Sequence, residues 1–367
     1  MRGERVAEEI NLHFTDQDWE RVAQAWSAWW EGELDRPLVA IESGAPPGTV
    51  LPEVPGLVSE TGMKMPADEL LDRIQPHLEA MRYYGDAWPR WWPNFGPGII
   101  AGFLGAQVHW APDTVWFSPA QEVPLTDLKL TYDPENVWWQ RVQELTSLAV
   151  KRWGSQVAIS HTDLGGNLDI LASFRTSQQL LLDLYDAPEE VIRLANEITR
   201  LWIRYYEELY AIIQKGGRGT SPWGYIWSPR RCYMLQSDFS YMISPKMFKR
   251  FVLPDIDSCC QFLDHPFYHL DGVGQIGHLD MLLSLKKLRG IQWVPGDGKP
   301  PPEEWLPLLK RIRDAGKLCQ LFVTPKGAQT IVHELGGRGF AFYITQPLSG
   351  EDAQDLLRTL TRPQPNS

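Results

Sequence analysis

PFYHLDGVGQIGHLDMLLSLKKLRGIQWVPGDG, residues Pro266 to Gly298, decides the fold. Its first run, PFYHLDG (Pro266 to Gly272), is too short for a stable helix, is rich in aromatic residues and stops at a glycine, which reads as a strand. A helix-like stretch, Ile276 to Leu285, leads to a second such run, GIQWVPG (Gly290 to Gly296). Strands joined by a helical crossover run parallel.

The rhythm extends in both directions. Downstream come a helix (Pro302 to Ala315), KLCQLFV (Lys317 to Val323), a helix (Lys326 to Leu335), GFAFYIT (Gly339 to Thr345) and a closing helix (Glu351 to Leu360). Upstream lie a helix (Pro245 to Leu263), GTSPWGYIW (Gly219 to Trp227), a helical region (Pro188 to Gln214) and VAISHTD (Val157 to Asp163). With PLVAIE (Pro37 to Glu42) and one strand from the ring-rich Trp88–Pro119 region, the count reaches eight and predicts an α/β fold, a (β/α)8 TIM barrel. No G-x-G-x-x-G follows the first strand, which removes the main signal for a doubly wound dinucleotide fold.

The N-terminal part predicts a helical, Trp-rich extension: a helix over Asp16 to Gly32 with Trp19, Trp26, Trp29 and Trp30 on one face, a Pro/Gly loop from Gly44 to Gly56 and a helix from Asp68 to Tyr84. The Trp face reads as core or as a homodimer surface. Residues 1–367 are expected to form one barrel domain, with 1–120 as the extension and first strands and 157–360 as the core. The chain ends in a Pro-rich tail, Arg362 to Ser367.

Composition narrows the function. The chain has 35 Lys+Arg against 46 Asp+Glu, a net charge of −11, and no basic run, so nucleic acid is not an expected partner. The N-terminus, from Met1 to Arg5, runs into acidic helix-like sequence without an apolar signal segment, and no apolar run reaches membrane-spanning length, so a soluble cytoplasmic protein is expected. Cys232, Cys259, Cys260 and Cys319 show no C-x-x-C spacing and read as reduced thiols. Seventeen Trp residues need a large core or an aromatic-lined cleft.

In a (β/α)8 barrel the chemistry lies at the C-terminal strand ends. Those positions nominate His161 and Asp163, then Trp223, Tyr225 and Trp227 with Asp238 in the following loop, then His269 and Asp271, then Trp293 and Asp297. Residues i and i+2 of a strand share a face, so His269 and Asp271 can meet one proton or one metal ion. The bland reading makes each Asp a turn residue and each His a satisfied donor. Trp223, Tyr225, Trp227 and Trp293 would wall a small substrate, Trp92 would lid it, and Arg230 or Arg231 would bind a carboxylate. His265 and His278 read as solvated helix-end residues.

SDFSYMISPKMFKRFVLPDI (Ser237 to Ile256), the Phe267–Gly298 segment and the closing GFAFYIT resemble the uroporphyrinogen decarboxylase superfamily. That likeness implies a (β/α)8 barrel with its site at the C-terminal mouth. The R-Q-A-G-R motif of true porphyrinogen decarboxylases is absent. The superfamily's corrinoid-linked methyltransferases hold zinc on His-x-Cys and a later Cys; here His269 matches the His, Asp271 stands in the Cys place and Thr345 lies near the later Cys. The resemblance therefore implies a methyltransferase or demethylase of a small methylated substrate, with a corrinoid protein as partner and zinc or another divalent metal on His269 and Asp271. Asp163 and Asp238 would orient the substrate. The alternatives are a cofactor-free decarboxylase, in which an Asp protonates the carbanion, and a non-catalytic small-molecule binding protein.

Overall fold

A computed structural model describes residues 10–112 and 114–362; the acidic N-terminal residues before Ile10 and the Pro-rich tail beyond Arg362 lie outside them. The strands are β1 (Leu38–Ser43), β2 (Arg82–Gly85), β3 (Arg90–Trp91), β4 (Gln107–Ala111), β5 (Thr114–Ser118), β6 (Ala158–Ile159), β7 (Cys232–Leu235), β8 (His265–Asp271), β9 (Gly290–Val294), β10 (Leu318–Val323) and β11 (Phe340–Ile344). The central sheet has the order β2-β1-β11-β10-β9-β8-β7 and is parallel except for β2, which pairs antiparallel with β1. Two smaller pairs stand apart, parallel β3-β6 and the β4-β5 hairpin. The result is a mixed α/β fold around a mostly parallel sheet, in which strand pairing does not run continuously round a ring among the described residues.

Several expected elements move. GTSPWGYIW is no strand: it carries one isolated bridge, Thr220 to Ser228, and the strand of this unit is the fully buried CYML of β7. Pro222 lacks a ladder N–H, and Gly219 and Gly224 weaken a strand, so the segment turns where an unbroken run would extend. The helix expected to reach Tyr84 stops at Ala80, and the chain turns back as β2. Two helices without a sequence-level expectation, Asn167–Arg175 and Ser177–Asp186, precede the long Pro188–Ile213 helix.

The Asp16–Trp30 helix starts in a capping box between Thr15 and Asp18. Its rings lie against the beginnings of the strands. Trp30 stacks on His265 with centroids 4.3 Å apart, and Trp29 and Trp30 meet Phe267 at 5.9 and 5.8 Å. Two of the indole N–H groups are satisfied where the rings go down, Trp26 Nε1 donating to the Asp86 carbonyl at 3.0 Å and Trp30 Nε1 to that of Trp227 at 2.8 Å, while Trp29 Nε1 is buried without a partner among the described residues. These rings are buried within the chain, so of the two sequence readings, core and homodimer surface, they form core. His265 and His278, expected in solvent, are buried on Trp30 and Phe248.

Strand alternation then sorts each strand's residues. In β8, His265, Phe267, His269 and Asp271 share a face; the first two meet the Trp floor and the last two rise toward the C-terminal end. Gly290 of β9 lies opposite Phe267, and a Cβ there would overlap that ring. Trp30→Ala should cost about 3–5 kcal/mol in urea unfolding, as a large buried ring is lost and its pocket only partly refills. A cost below about 1 kcal/mol would show that the ring is not part of the core.

Candidate functional site

At the C-terminal ends of the strands, alternate residues become accessible while their neighbours stay buried. Glu42, Arg90, His269, Phe322 and Tyr343 are all partly exposed, whereas Ile41, Leu270, Val323 and Ile344 are buried. Contacts tie the accessible residues into one basin. Tyr343 Oη donates to Glu42 Oε2 at 3.0 Å, Arg90 Nε lies 3.7 Å from Glu42 Oε1, and Tyr225 packs on Tyr343 with its centroid 3.9 Å away. Trp223, two residues before Tyr225, meets the His269 ring edge-on at 5.1 Å. The segment Trp223–Tyr225, expected as a strand end, thus reaches the mouth as a turn.

His269 is held in a directional chain. Its Nδ1 pairs with Gln292 Oε1, and Gln292 Nε2 donates to Gln320 Oε1, each residue lying on the next strand. Because the Gln292 oxygen accepts, His269 Nδ1 carries a hydrogen, and Nε2 faces the basin with Asp271 Oδ2 3.9 Å away. Orientation is thereby fixed from behind, and Nε2 has no hydrogen-bond partner among the described residues.

Carboxylates crowd the same side. Asp169 opens the Asn167–Arg175 helix and accepts from the backbone N–H groups of Asp238 and Phe239 at 3.1 and 2.7 Å, which seats Asp238 over the mouth. Asp163 accepts from Gly165 N at 2.9 Å. Gly98 and Gly165, both at positive φ, meet backbone to backbone beside it, and a Cβ on Gly165 would lie 2.6 Å from Gly98 Cα. Burial pushes the Asp163 carboxyl up to about 7 against that N–H donation, and the charge of Asp238 adds to the rise. Burial and the neighbouring carboxylates also raise Asp169. Asp238 is open to water but set among protein atoms; desolvation raises it and His269 partly offsets the rise. Among the described residues no Lys or Arg forms an ion pair with Asp163, Asp169, Asp238 or Asp271.

Other nominated residues fall elsewhere. His161 is fully buried against the Pro188–Ile213 helix, stacked on Tyr206 at 4.2 Å, and burial lowers it to about 3; the chain leaves β6 after Ile159, so His161 and Asp163 do not share a strand face. Trp293 is buried on the other face of β9, against Trp305 at 5.3 Å, because Gln292 takes the basin side. Trp227 and Arg231 precede β7 instead of following it. Trp227 packs with Trp19 and Trp30, and Arg231 pairs with Asp264 at 3.1 Å near the strand beginnings; Arg230 is exposed in the same segment. Trp92 is partly exposed two residues beyond Arg90. Asp297 is exposed and lines a shallow recess of about 200 Å³ with Tyr241, Asp271 and Lys299, on the rim of the basin.

Besides Gln320 and Phe322, which sit inside an expected strand, three charged members escaped the sequence reading. Asp169 lies in a helix that was not anticipated. Glu42 ends PLVAIE, where alternation alone points to it, and Arg90 is enclosed by the rings of WPRWWP. A zinc site does not fit what is present. His269 and Asp271 supply two donors, no group of three or more His, Cys, Asp or Glu residues able to hold a metal exists among the described residues, and all four cysteines are buried elsewhere.

No protein-family model and no curated protein matches this chain. Among solved structures, a methyltransferase from Methanosarcina mazei matches with a TM-score of 0.59 over 93% of this chain and 98% of that one, at 10% sequence identity. The likeness is one of fold. No described helix is long and apolar enough to cross a membrane.

The buried acid gives a pH signature. The Asp163 carboxyl titrates near 7 in the folded chain and near 3.8 unfolded, so the unfolded chain releases its proton first and stability falls as pH rises between these values. Asp163→Asn should therefore raise the urea midpoint relative to wild type, more near pH 8 than near pH 5, with a ceiling of about 4 kcal/mol. An equal effect at both pH values would mean that the carboxyl has an ordinary pKa.

Proposed function

We propose that this chain is a methyltransferase or demethylase whose parallel strands, those of the central sheet together with β3 and β6, close as one (β/α)8 barrel of the uroporphyrinogen decarboxylase type. The observation that carries the reading is the convergence of His269, Asp271, Asp238 and Trp223 on one basin at the strand ends, with Nε2 of His269 left free. The likeness in sequence and the fold neighbour, itself named a methyltransferase, point the same way. A corrinoid protein is the proposed methyl acceptor or donor.

The transfer breaks the bond from the methyl carbon to a substrate heteroatom, whose electron pair stays behind, while the acceptor's nucleophile forms the new bond. This chain's work is to bind, orient and manage a proton. Trp223 and the carboxylates favour a substrate with cationic character, since an aromatic face and unpaired anions both attract positive charge. The departing heteroatom takes its proton from His269 Nε2, the ring nitrogen that faces the basin, with the Asp238 and Asp271 carboxylates beside it. Gln292 and Gln320 keep the imidazole aimed.

The test is methyl loss from a panel of small methylated amines and ethers, followed with cob(I)alamin as acceptor. His269→Ala should lower kcat about 10²–10⁴-fold, the range for losing a positioned acid or base. Carbon dioxide release without methyl transfer would replace this reading with the decarboxylase.

A further inference from the structure

One cation of the basin lacks the forked carboxylate partner that Arg36 and Arg175 have. Arg36 grips Asp86 with two bonds of 2.6 and 2.9 Å, and Arg175 grips Asp183 with two of 2.6 and 3.1 Å. These are the forked pairs that a guanidinium forms with a carboxylate. The Arg90 side chain is only 11% exposed, yet no described group accepts a hydrogen bond from it, and Nη1 is buried without a partner. Glu42 stays 3.7 Å from Nε, its other oxygen committed to Tyr343. The face of the guanidinium is covered by the Tyr225 ring, 3.6 Å away, which holds the group in place and leaves its N–H edge unspent.

Burying a charge without hydrogen bonds is costly, and five donors in a fixed fork match a carboxylate. Arg90 and the acidic group are linked by three residues: Tyr225 touches Arg90, and Trp223 touches His269. We propose that Arg90 seats an anionic group of the substrate, so that the basin takes a small zwitterion with its carboxylate at Arg90 and its methylated ammonium beside Trp223, His269 and Asp238. This rests on the methyl-transfer reading for what happens at the ammonium end, but not for the seat itself.

The experiment titrates trimethylammonio-carboxylates, with one to three methylenes between the charges, into wild-type protein, Arg90→Met and Arg90→Lys by calorimetry, with tetramethylammonium as the carboxylate-free probe. Wild type should bind at least one of the zwitterions. Arg90→Met should weaken it about 10- to 100-fold, the cost of a charge-assisted pair, and leave tetramethylammonium within about threefold. Arg90→Lys should fall between them, as charge is kept and the fork lost. Absence of zwitterion binding by wild type, or an equal loss of both probes in a variant with an unchanged melting temperature, overturns the seat. If Arg90→Met does not fold, Arg90→Lys decides: unchanged zwitterion affinity there overturns the forked pairing. Arg90-dependent binding of a zwitterion that never loses a methyl to cob(I)alamin leaves the seat standing and removes methyl transfer.

Discussion

Trp29 and Trp30 press on His265 and Phe267, and this aromatic floor governs how the rest of the sheet is used. In a parallel sheet covered by helices, the residues facing the helices must be apolar, so polar groups have room only on the opposite face. The Trp floor fills the N-terminal end of that face. What remains is the C-terminal end, where His269, Asp271, Glu42 and Tyr343 appear in turn with water access. The surplus of tryptophan thus acts mainly through volume: it closes one end and leaves a polar basin at the other.

Charge within the basin is divided. Four carboxylates and an imidazole gather at one side, with no Lys or Arg paired to Asp163, Asp169, Asp238 or Asp271 among the described residues, while a guanidinium without hydrogen bonds lies at the other. Water offsets part of the cost of leaving Asp238 and Asp271 without a cation, whereas Arg90 is nearly buried with only Glu42, 3.7 Å away, as its counter-charge. Here Arg90 is kept from the acids by Tyr225 and Glu42. Such a separation of unlike charges would suit the zwitterion proposed for this basin.

Much of this was legible in the sequence, and the failures have physical causes. Short apolar runs alternating with amphipathic helices gave the parallel strands from His265 to Ile344, and i, i+2 spacing put His269 beside Asp271. Register was not legible. Pairing of His269 with Gln292 across β8 and β9 turns Trp293 outward, and no local pattern announces which of two adjacent residues faces in. Moving the fourth core strand from Gly219–Trp227 to Cys232–Leu235 carried Trp227 and Arg231 to the opposite end of the sheet. The Pro and Gly residues of GTSPWGYIW signalled a turn, but its rings outweighed them. Asp169 and Arg90 act through tertiary contacts alone, with Asp238 and Tyr225, and nothing in their local sequence marks them.

Asp271, a carboxylate two residues beyond His269, sets what this strand end can do. A thiolate beside His269 would give a soft donor set suited to zinc, and Cys319 cannot provide one because it is buried on the helix side of β10, next to the inward Gln320. A carboxylate is harder, carries its charge on two oxygens and accepts from N–H groups. With Asp238 it makes an anionic wall in front of an imidazole whose Nδ1 is already taken by Gln292. Such a wall attracts a positively charged group more directly than it activates a thiol, and the aromatic edge of Trp223 against His269 reinforces that preference. On this ground a strand end that carries His269 and Asp271 suits the organic cation proposed above better than a soft metal ion.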